Sequence, residues 1–347
     1  MAMETREVRA YSPGRVNLIG DHTDYNEGVA VPMAIDLGTT VTFVPDGSRR
    51  VCLHSAATPE PAEVDLYVRL DTERLKTIEP RWARYVAAVV AAVGPRTGGC
   101  GNVESTLPMD AGLSSSASLE VALALALGSE AEPLHLAETC QRAEQAATGV
   151  DCGLMDQLVV TAAVEDCALL VDFADLSARP VHIPEQPEVI VAHSGASRTL
   201  ERSPYSTRRA ECEAAAYGMG PLGRLRPEDL VGISDPLLRR RARHVVTECD
   251  RVRRFASALE HADLGEAGRL MTASHRSLAQ DFEASTPALD GLVEHLLSLP
   301  GVFGARLTGA GFGGCVVALT EPGAVDIGTL RAPAWRVRPS GGARLLP

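Results

Sequence analysis

Apolar positions along the chain fall into two periods. Over residues 6–54, apolar segments (VRAYSPGRVNLIG, GVAVPMAIDLGTTVTFVPDG, VCLHS) alternate with Gly, Pro and Asp turn signals, which predicts strands. WARYVAAVVAAVG, 82–94, has helical spacing and stops at Gly94-Pro95. NVESTLP reads as a short strand. SASLEVALALALG (116–128) and PLHLAETCQRAEQAATG (133–149) read as amphipathic helices, each ended by glycine, and GLMDQLVVTAAV as a third helix. CALLVDF and PVHIP predict a hairpin, and VIVAHSG a further strand. From Tyr205 to Leu299 the pattern is mostly helical, broken by Pro and Gly. GVFGARLTGAGFGGCVVAL then reads as strand, glycine loop, strand, and AWRVRPSGGARLL as a last strand. PEQPE interrupts the pattern near 185 and divides the chain into 1–185 and 186–347. The class is α+β in two halves, each a sheet with helices packed on it.

Composition narrows the partners. Hydrophobic residues make up 45% of 347 and charged ones 22%, which describes a globular chain long enough for two cores. The opening MAMETREVRA has no apolar leader segment and no run approaches a membrane span, so a cytoplasmic protein without membrane contact is expected. A net charge of −12 offers no field for a phosphate backbone, which argues against a nucleic-acid partner. The eight cysteines form no CxxC pair and read as reduced, mostly buried thiols. Lys76 is the only lysine, so no motif below has a lysine to grip phosphate.

Three stretches carry candidate chemistry. In GRVNLIGDHTDYNEG, 14–28, a buried strand opens into Asp21, His22 and Asp24, with Arg15 at its beginning. A polar hairpin turn explains any one of these residues. Together, two carboxylates, an imidazole and a guanidinium suit a ligand rich in hydroxyls, each of which both donates and accepts. In LPMDAGLSSSASLEVALALAL, 107–127, a glycine and three serines run into an apolar helix. One serine would cap it. Several present free backbone N–H groups at the positive end of the helix, an anion site that needs no lysine and is not a Walker A loop. In LTGAGFGGCVVAL, Gly309, Gly311 and Gly314 fit G-x-G-x-x-G, but the following CVVAL is strand-like, so the stretch fails as a dinucleotide fingerprint. It reads instead as a hairpin whose backbone can approach the first loop's ligand. Asp156, in GVDCGLMDQLVV, sits in the first turn of a helix, where an acid is electrostatically favoured in any case, and Glu144 lies on the preceding helix.

In this order the segments resemble the GHMP small-molecule kinases and, within them, the galactokinases: GRVNLIG-x-HTDYN-x-G, GLSSSASLEVA, CGLMDQ and TGAGFGGC, with RWARYV and YSTRRAECEAA in support. The resemblance runs from about residue 10 to the closing GGARL. It implies an N-terminal S5-like domain, a C-terminal ferredoxin-like domain, and an active site between them. There the γ-phosphate of ATP passes to the anomeric hydroxyl of galactose, with Mg²⁺ as cofactor, and a monomer is expected. By motif, Asp156 matches the base and Arg15 the group that faces it. Asp21, His22, Asp24, Gly153 and Tyr205 match the sugar pocket. Gly112, Leu113, Ser114, Ser115, Ser116, Ala117 and Ser118 match the phosphate loop, Ser116 and Glu144 the Mg²⁺ ligands, and Trp82 and Tyr85 the adenine pocket.

Two departures follow. Asp21 stands where the family usually has Glu contacting the sugar's C6 hydroxyl, which withdraws the carboxylate by roughly 1.5 Å. The contact becomes water-bridged, or the pocket gains room. Asp110 stands where the loop commonly has Gly, and a solvent-facing side chain is expected. A same-fold kinase for L-arabinose, a galactosamine or a uronic acid stays open. So does a catalytically silent sugar sensor. A GHMP-fold decarboxylase finds no support in the opening motif.

Overall fold

The structure is a computed structural model describing residues 6–67, 71–108, 111–196 and 204–347. The chain opens with β1 (Val8–Ile19) and β2 (Val29–Pro45), followed by β3 (Arg50–Ser55), β4 (Thr58–Asp65), α1 (Thr72–Lys76), α2 (Trp82–Val93) and β5 (Gly99–Ser105). Helices α3 (Ser115–Ala126), α4 (Pro133–Thr148) and α5 (Met155–Ala162) follow, then the hairpin β6 (Cys167–Asp172) and β7 (Ser177–His182). Next come β8 (Glu188–His193), α6 (Tyr205–Ala216), α7 (Pro236–Glu260), α8 (Leu264–Gln280) and α9 (Pro287–Leu297). The chain closes with β9 (Val302–Leu307), β10 (Cys315–Thr320), β11 (Ala334–Val337) and β12 (Arg344–Leu346).

The strands make two sheets. The larger runs β12-β1-β2-β5-β3-β4, with β6 beside β2 and β7 beside β6; the smaller runs β11-β8-β10-β9. The α+β class and the hairpins match the pattern. Strand β4 escapes it, because Pro59 and Pro61 break the alternation. As the last strand of its row it has one edge free, where the missing amide donors cost nothing.

Three elements differ from expectation. AWRVRPSGGARLL is two strands in different sheets: β11 pairs with β8, and β12 crosses back to pair with β1. The tail of the 186–347 segment therefore completes the first sheet. Each half keeps a core cluster of its own, but a third cluster joins them. Val16, Leu18 and Ile19 of β1 share one cluster with Val252 and Phe255 of α7, Met271 of α8 and Val317 of β10. Finally, α3 is apolar nearly all round rather than on one stripe, and it is buried accordingly, with Glu120 inside it. No helix among the described residues is long and apolar enough to cross a membrane.

Candidate active site

Where β1 ends, Gly20 (φ 99°) and His22 (φ 65°) turn the chain sharply, and a short 3₁₀ turn over Asp24–Asn26 leads to Gly28 and β2. Much of the polarity of this stretch is spent holding it in shape. The Thr23 hydroxyl lies 2.9 Å from the Gly20 carbonyl and 2.8 Å from that of Val29. Asn26 donates to the His22 carbonyl at 2.8 Å. His22 Nε2 donates to the Ala310 carbonyl at 3.1 Å, and its Nδ1 lies 2.8 Å from the Tyr25 hydroxyl. The TGAGFGG hairpin thus sets its backbone, at the Ala310 carbonyl, against the first loop itself.

Asp21 lines the cleft but is held tightly by the fold. Arg306 Nη2 donates to its Oδ2 at 2.6 Å, while Asn17 Nδ2 (2.9 Å) and the Gly309 amide (3.1 Å) donate to its Oδ1. Burial pushes this carboxyl above its ordinary range, and Arg306 and Asn17 oppose the shift. Both partners are inside the protein, with side-chain exposures of 0% for Arg306 and 5% for Asp21. Asp21 thus clamps the turn after β1 to β9 and the Gly309 amide at the cleft wall. Arg306 was not singled out from the sequence, since an arginine inside an apolar strand resembles any surface arginine until its partner is known.

Asp24 is what the turn turns toward the cleft. Its carboxyl rises from 3.8 to about 6, chiefly because burial penalises the charged form, with Asp156 and Asp21 adding to the rise. Gly153 fits beneath it: a Cβ at that position would stand 1.6 Å from Asp24 Oδ2. Tyr205, at the start of α6, is buried alongside, its ring centroid 5.7 Å from that of His22.

The Arg15–Asp156 pair lies between this turn and α3. Arg15 Nε donates to Asp156 Oδ1 at 3.0 Å and Nη2 to Oδ2 at 2.9 Å, a forked pair, while Nη1 donates to the Gly112 carbonyl at 2.6 Å. The Ser114 hydroxyl donates to Asp156 Oδ2 at 2.5 Å. Asp156 is more than a dipole-compensating acid, because its carboxylate is committed to groups far off in sequence and still 31% exposed. Ser114 caps α3 with φ 59°, so the first amides of the helix, at Ser115, Ser116 and Ala117, have no partner within the helix.

Behind this start, Ser116 Oγ donates to Glu144 Oε1 at 2.6 Å and Gln157 Nε2 to Glu144 Oε2 at 2.6 Å. Gln157 also reaches Glu120, at 3.2 Å. Burial raises the Glu144 carboxyl, against the Ser116 hydrogen bond, and lifts that of Glu120 well above the usual carboxylate range. Glu120 was missed in the sequence. Its signal was there: one acid in an otherwise apolar helix.

A cleft of about 730 Å³ joins these parts. Arg15, Asp24, Gly153, Asp156, Tyr205 and Ala310 line one end. Ser115, Ser116, Trp82 and Tyr85 line the other, together with the unforeseen turn Ser55–Thr58 between β3 and β4. Leu113, Ala117 and Ser118 are inside the protein. Leu113 packs in the shared core, and the Ser118 hydroxyl donates to the Ser12 carbonyl at 2.7 Å. Their side chains therefore build the loop rather than face a ligand. Asp110 lies outside the described residues.

Comparison with known proteins agrees with this geometry. Residues 3–45 match the family model for the galactokinase galactose-binding signature, 84–163 that for the GHMP kinases N terminal domain, and 255–329 that for GHMP kinases C terminal. The chain is 40% identical to a galactokinase of Homo sapiens over 92% of this chain and 85% of that protein. It is 41% identical to one of Roseiflexus sp. (strain RS-1), over 92% and 84% respectively. A crystal structure of Lactococcus lactis galactokinase complexed with galactose superposes with a TM-score of 0.90 at 29% identity, covering 98% of this chain and 95% of that one. A mevalonate kinase at 20% identity, TM-score 0.67, shares the fold. The architecture is the two-domain GHMP kinase fold, and the chain belongs to the galactokinase family.

Proposed function

We propose that this chain transfers the γ-phosphate of ATP to the C1 hydroxyl of galactose, giving α-galactose 1-phosphate. The observation that carries the reading is the Arg15–Asp156–Ser114 constellation, set between a carboxylate-bearing end and an amide-bearing end of one cleft. Asp24 accepts from sugar hydroxyls over the floor left by Gly153. Asp156, held in place by the Arg15 fork, takes the C1 hydroxyl proton as the oxygen attacks phosphorus. Arg15 then balances negative charge on that oxygen. The amides at the start of α3 hold the polyphosphate where the chain offers no lysine.

Ser116 and Glu144 fit a magnesium ion. Both are hard oxygen donors, and a single carboxylate leaves the remaining positions to phosphate oxygens and water. Among the described residues no cluster of three or more acids, histidines or cysteines is placed to form a closed metal cage. When bound, Mg²⁺ supplies charge neutralisation at the β- and γ-phosphoryl oxygens. Meanwhile Gln157 keeps the second Glu144 oxygen fixed.

A second reading has one observation in its favour. The carboxylate at the place where the family resemblance puts the C6 contact is one carbon shorter than Glu and already accepts from Arg306, which suits a galactose-like sugar altered at C6. A panel of aldoses scored by ADP release, with the product examined by phosphorus NMR, tests both readings. Galactose turnover to the α-1-phosphate supports the first. Turnover of a C6 variant without turnover of galactose replaces it with the second.

A further inference from the structure

Phosphoryl transfer uses no thiol, yet the sheet holds two cysteines face to face. Cys52 on β3 and Cys100 on β5 are direct partners in a parallel pairing that runs from Val51↔Gly99 to Ser55↔Val103. In-register partners project to the same face of a sheet, and here that face is the outer one: Cys100 is exposed and Cys52 half-buried. The register sets the two thiols side by side, and His54 Nε2 stands 3.7 Å from Cys52 Sγ. By contrast, Cys140, Cys152, Cys212, Cys249 and Cys315 are buried. Neighbouring strands lie about 5 Å apart, inside the roughly 4.4–6.8 Å Cα window that a disulfide spans. Closing the bond needs rotation of two side chains and no strand movement.

We propose that Cys52 and Cys100 form a reversible dithiol–disulfide pair, a redox modification site on the outer face of the larger sheet, with a peroxide as oxidant. The more exposed Cys100 sulfur attacks one peroxide oxygen; the O–O bond breaks, water leaves, and a sulfenic acid remains. The Cys52 sulfur then attacks that sulfur, and as the S–O bond breaks its proton passes by way of His54 to the departing hydroxide, which leaves as a second water. Two thiols and one hydrogen peroxide give one disulfide and two waters, the two electrons passing from sulfur to oxygen. A small dithiol reverses the change by exchange.

The site lies close to the nucleotide end of the cleft. Ser55, three residues beyond Cys52, starts the Ser55–Thr58 turn of the cleft wall, and its register partner Val103 lines the same wall. A covalent tie at 52–100 locks the spacing of the two strands beneath that wall and removes their freedom to adjust to a nucleotide, so it acts on ATP and leaves the distant sugar end alone. This second part rests on the kinase reading above; formation of the bond does not.

The test treats the whole protein with a slight excess of hydrogen peroxide, blocks residual thiols, and maps the peptides by mass spectrometry. The expected first product lacks two hydrogens, carries a Cys52–Cys100 link, is undone by dithiothreitol, and is absent from Cys100→Ser. The oxidised enzyme should show an ATP KM raised several-fold, an unchanged galactose KM, and recovery on reduction. Peroxide consumption that yields sulfinic acid or other links, with Cys52 and Cys100 unjoined, overturns the site. A link that forms without moving the ATP KM overturns its coupling to the cleft.

Discussion

The two ends of the cleft are built by opposite means. At the sugar end, polar side chains are packed so densely that most satisfy one another: Asp21 takes Arg306, Asn17 and Gly309, His22 takes Ala310 and Tyr25, and Thr23 and Asn26 tie the turn. Asp24 keeps its carboxylate toward the cleft, above Gly153. At the nucleotide end the side chains of Leu113, Ala117 and Ser118 are buried, and the free groups are backbone amides at a helix start and hydroxyls. Fixed dipoles suit a phosphate chain, whose charge is large and nearly spherical. Directional acceptors suit hydroxyls, whose positions distinguish one sugar from another. Specificity therefore rests on a few rigidly held side chains, and nucleotide binding on main chain that point mutation hardly touches.

The comparison is broken most severely where the two ends meet. Asp156→Ala removes the proton acceptor and unpairs Arg15, and kcat should fall by about 10²–10⁴, the scale of a lost general base. ATP binding, measured by calorimetry without sugar, should change little. An unaltered kcat would mean that the carboxylate acts only as a counter-charge.

Next in size is the clamp beneath the sugar end. Arg306→Met strands Asp21 in the core, and breaking a buried pair from one side costs about 3–5 kcal/mol. Asp21→Asn combined with Arg306→Met removes both charges and should recover part of that loss in urea denaturation. The double variant should still bind ATP as the native chain does, while the galactose KM rises, because the Gly309–Ala310 turn that backs His22 is no longer anchored. Equal losses for both substrates would show that Arg306 supports the whole fold and not one end of the cleft.

A smaller and more selective break is Gly153→Ala. The new methyl would meet Asp24 Oδ2 at 1.6 Å and must push the carboxylate aside. Losing a hydrogen bond to a charged group is worth about 1.5–3 kcal/mol, so the galactose KM should rise about 10–100-fold, with the ATP KM within about twofold. An equal rise in both would place Gly153 in the shared architecture.

How far these features were legible depends on whether their cause is local. Gly94 and Gly149 end helices by local chemistry, and those ends were read correctly. The meeting of Arg15, Asp156 and the serine loop followed from family resemblance, since no local rule joins residues 141 apart. Local rules failed where tertiary partners decide. AWRVRPSGGARLL looks continuous, but Ser340 donates to the Ala34 carbonyl at 3.0 Å and leads the chain across to the other sheet. Asp21 reads as a ligand group until Arg306 is placed against it. Cys52 and Cys100 are 48 residues apart, and only the sheet register makes them neighbours.

The finest test of the contrast is pH, because the sugar end is built on a strained charge. The Asp24 carboxyl sits at about 6 in the folded protein against an ordinary 3.8. A raised carboxyl favours the fold while it is protonated. Its contribution is fully present below pH 3.8 and lost as pH rises through 6, so at neutral pH ionised Asp24 costs the ligand-free protein up to about 3 kcal/mol. Asp24→Asn, which carries no charge, should therefore melt higher than the native chain at pH 7.5 and no higher at pH 4. Function runs the other way. A sugar hydroxyl donates far more strongly to the carboxylate than to the neutral acid, so galactose kcat/KM should decline below pH 6 by up to tenfold per unit, as for any single essential carboxylate, while the ATP KM stays level across the same range. If Asp24→Asn melts lower than the native protein at neutral pH, the carboxylate is satisfied by the fold itself, and the sugar end is not holding an acceptor in reserve.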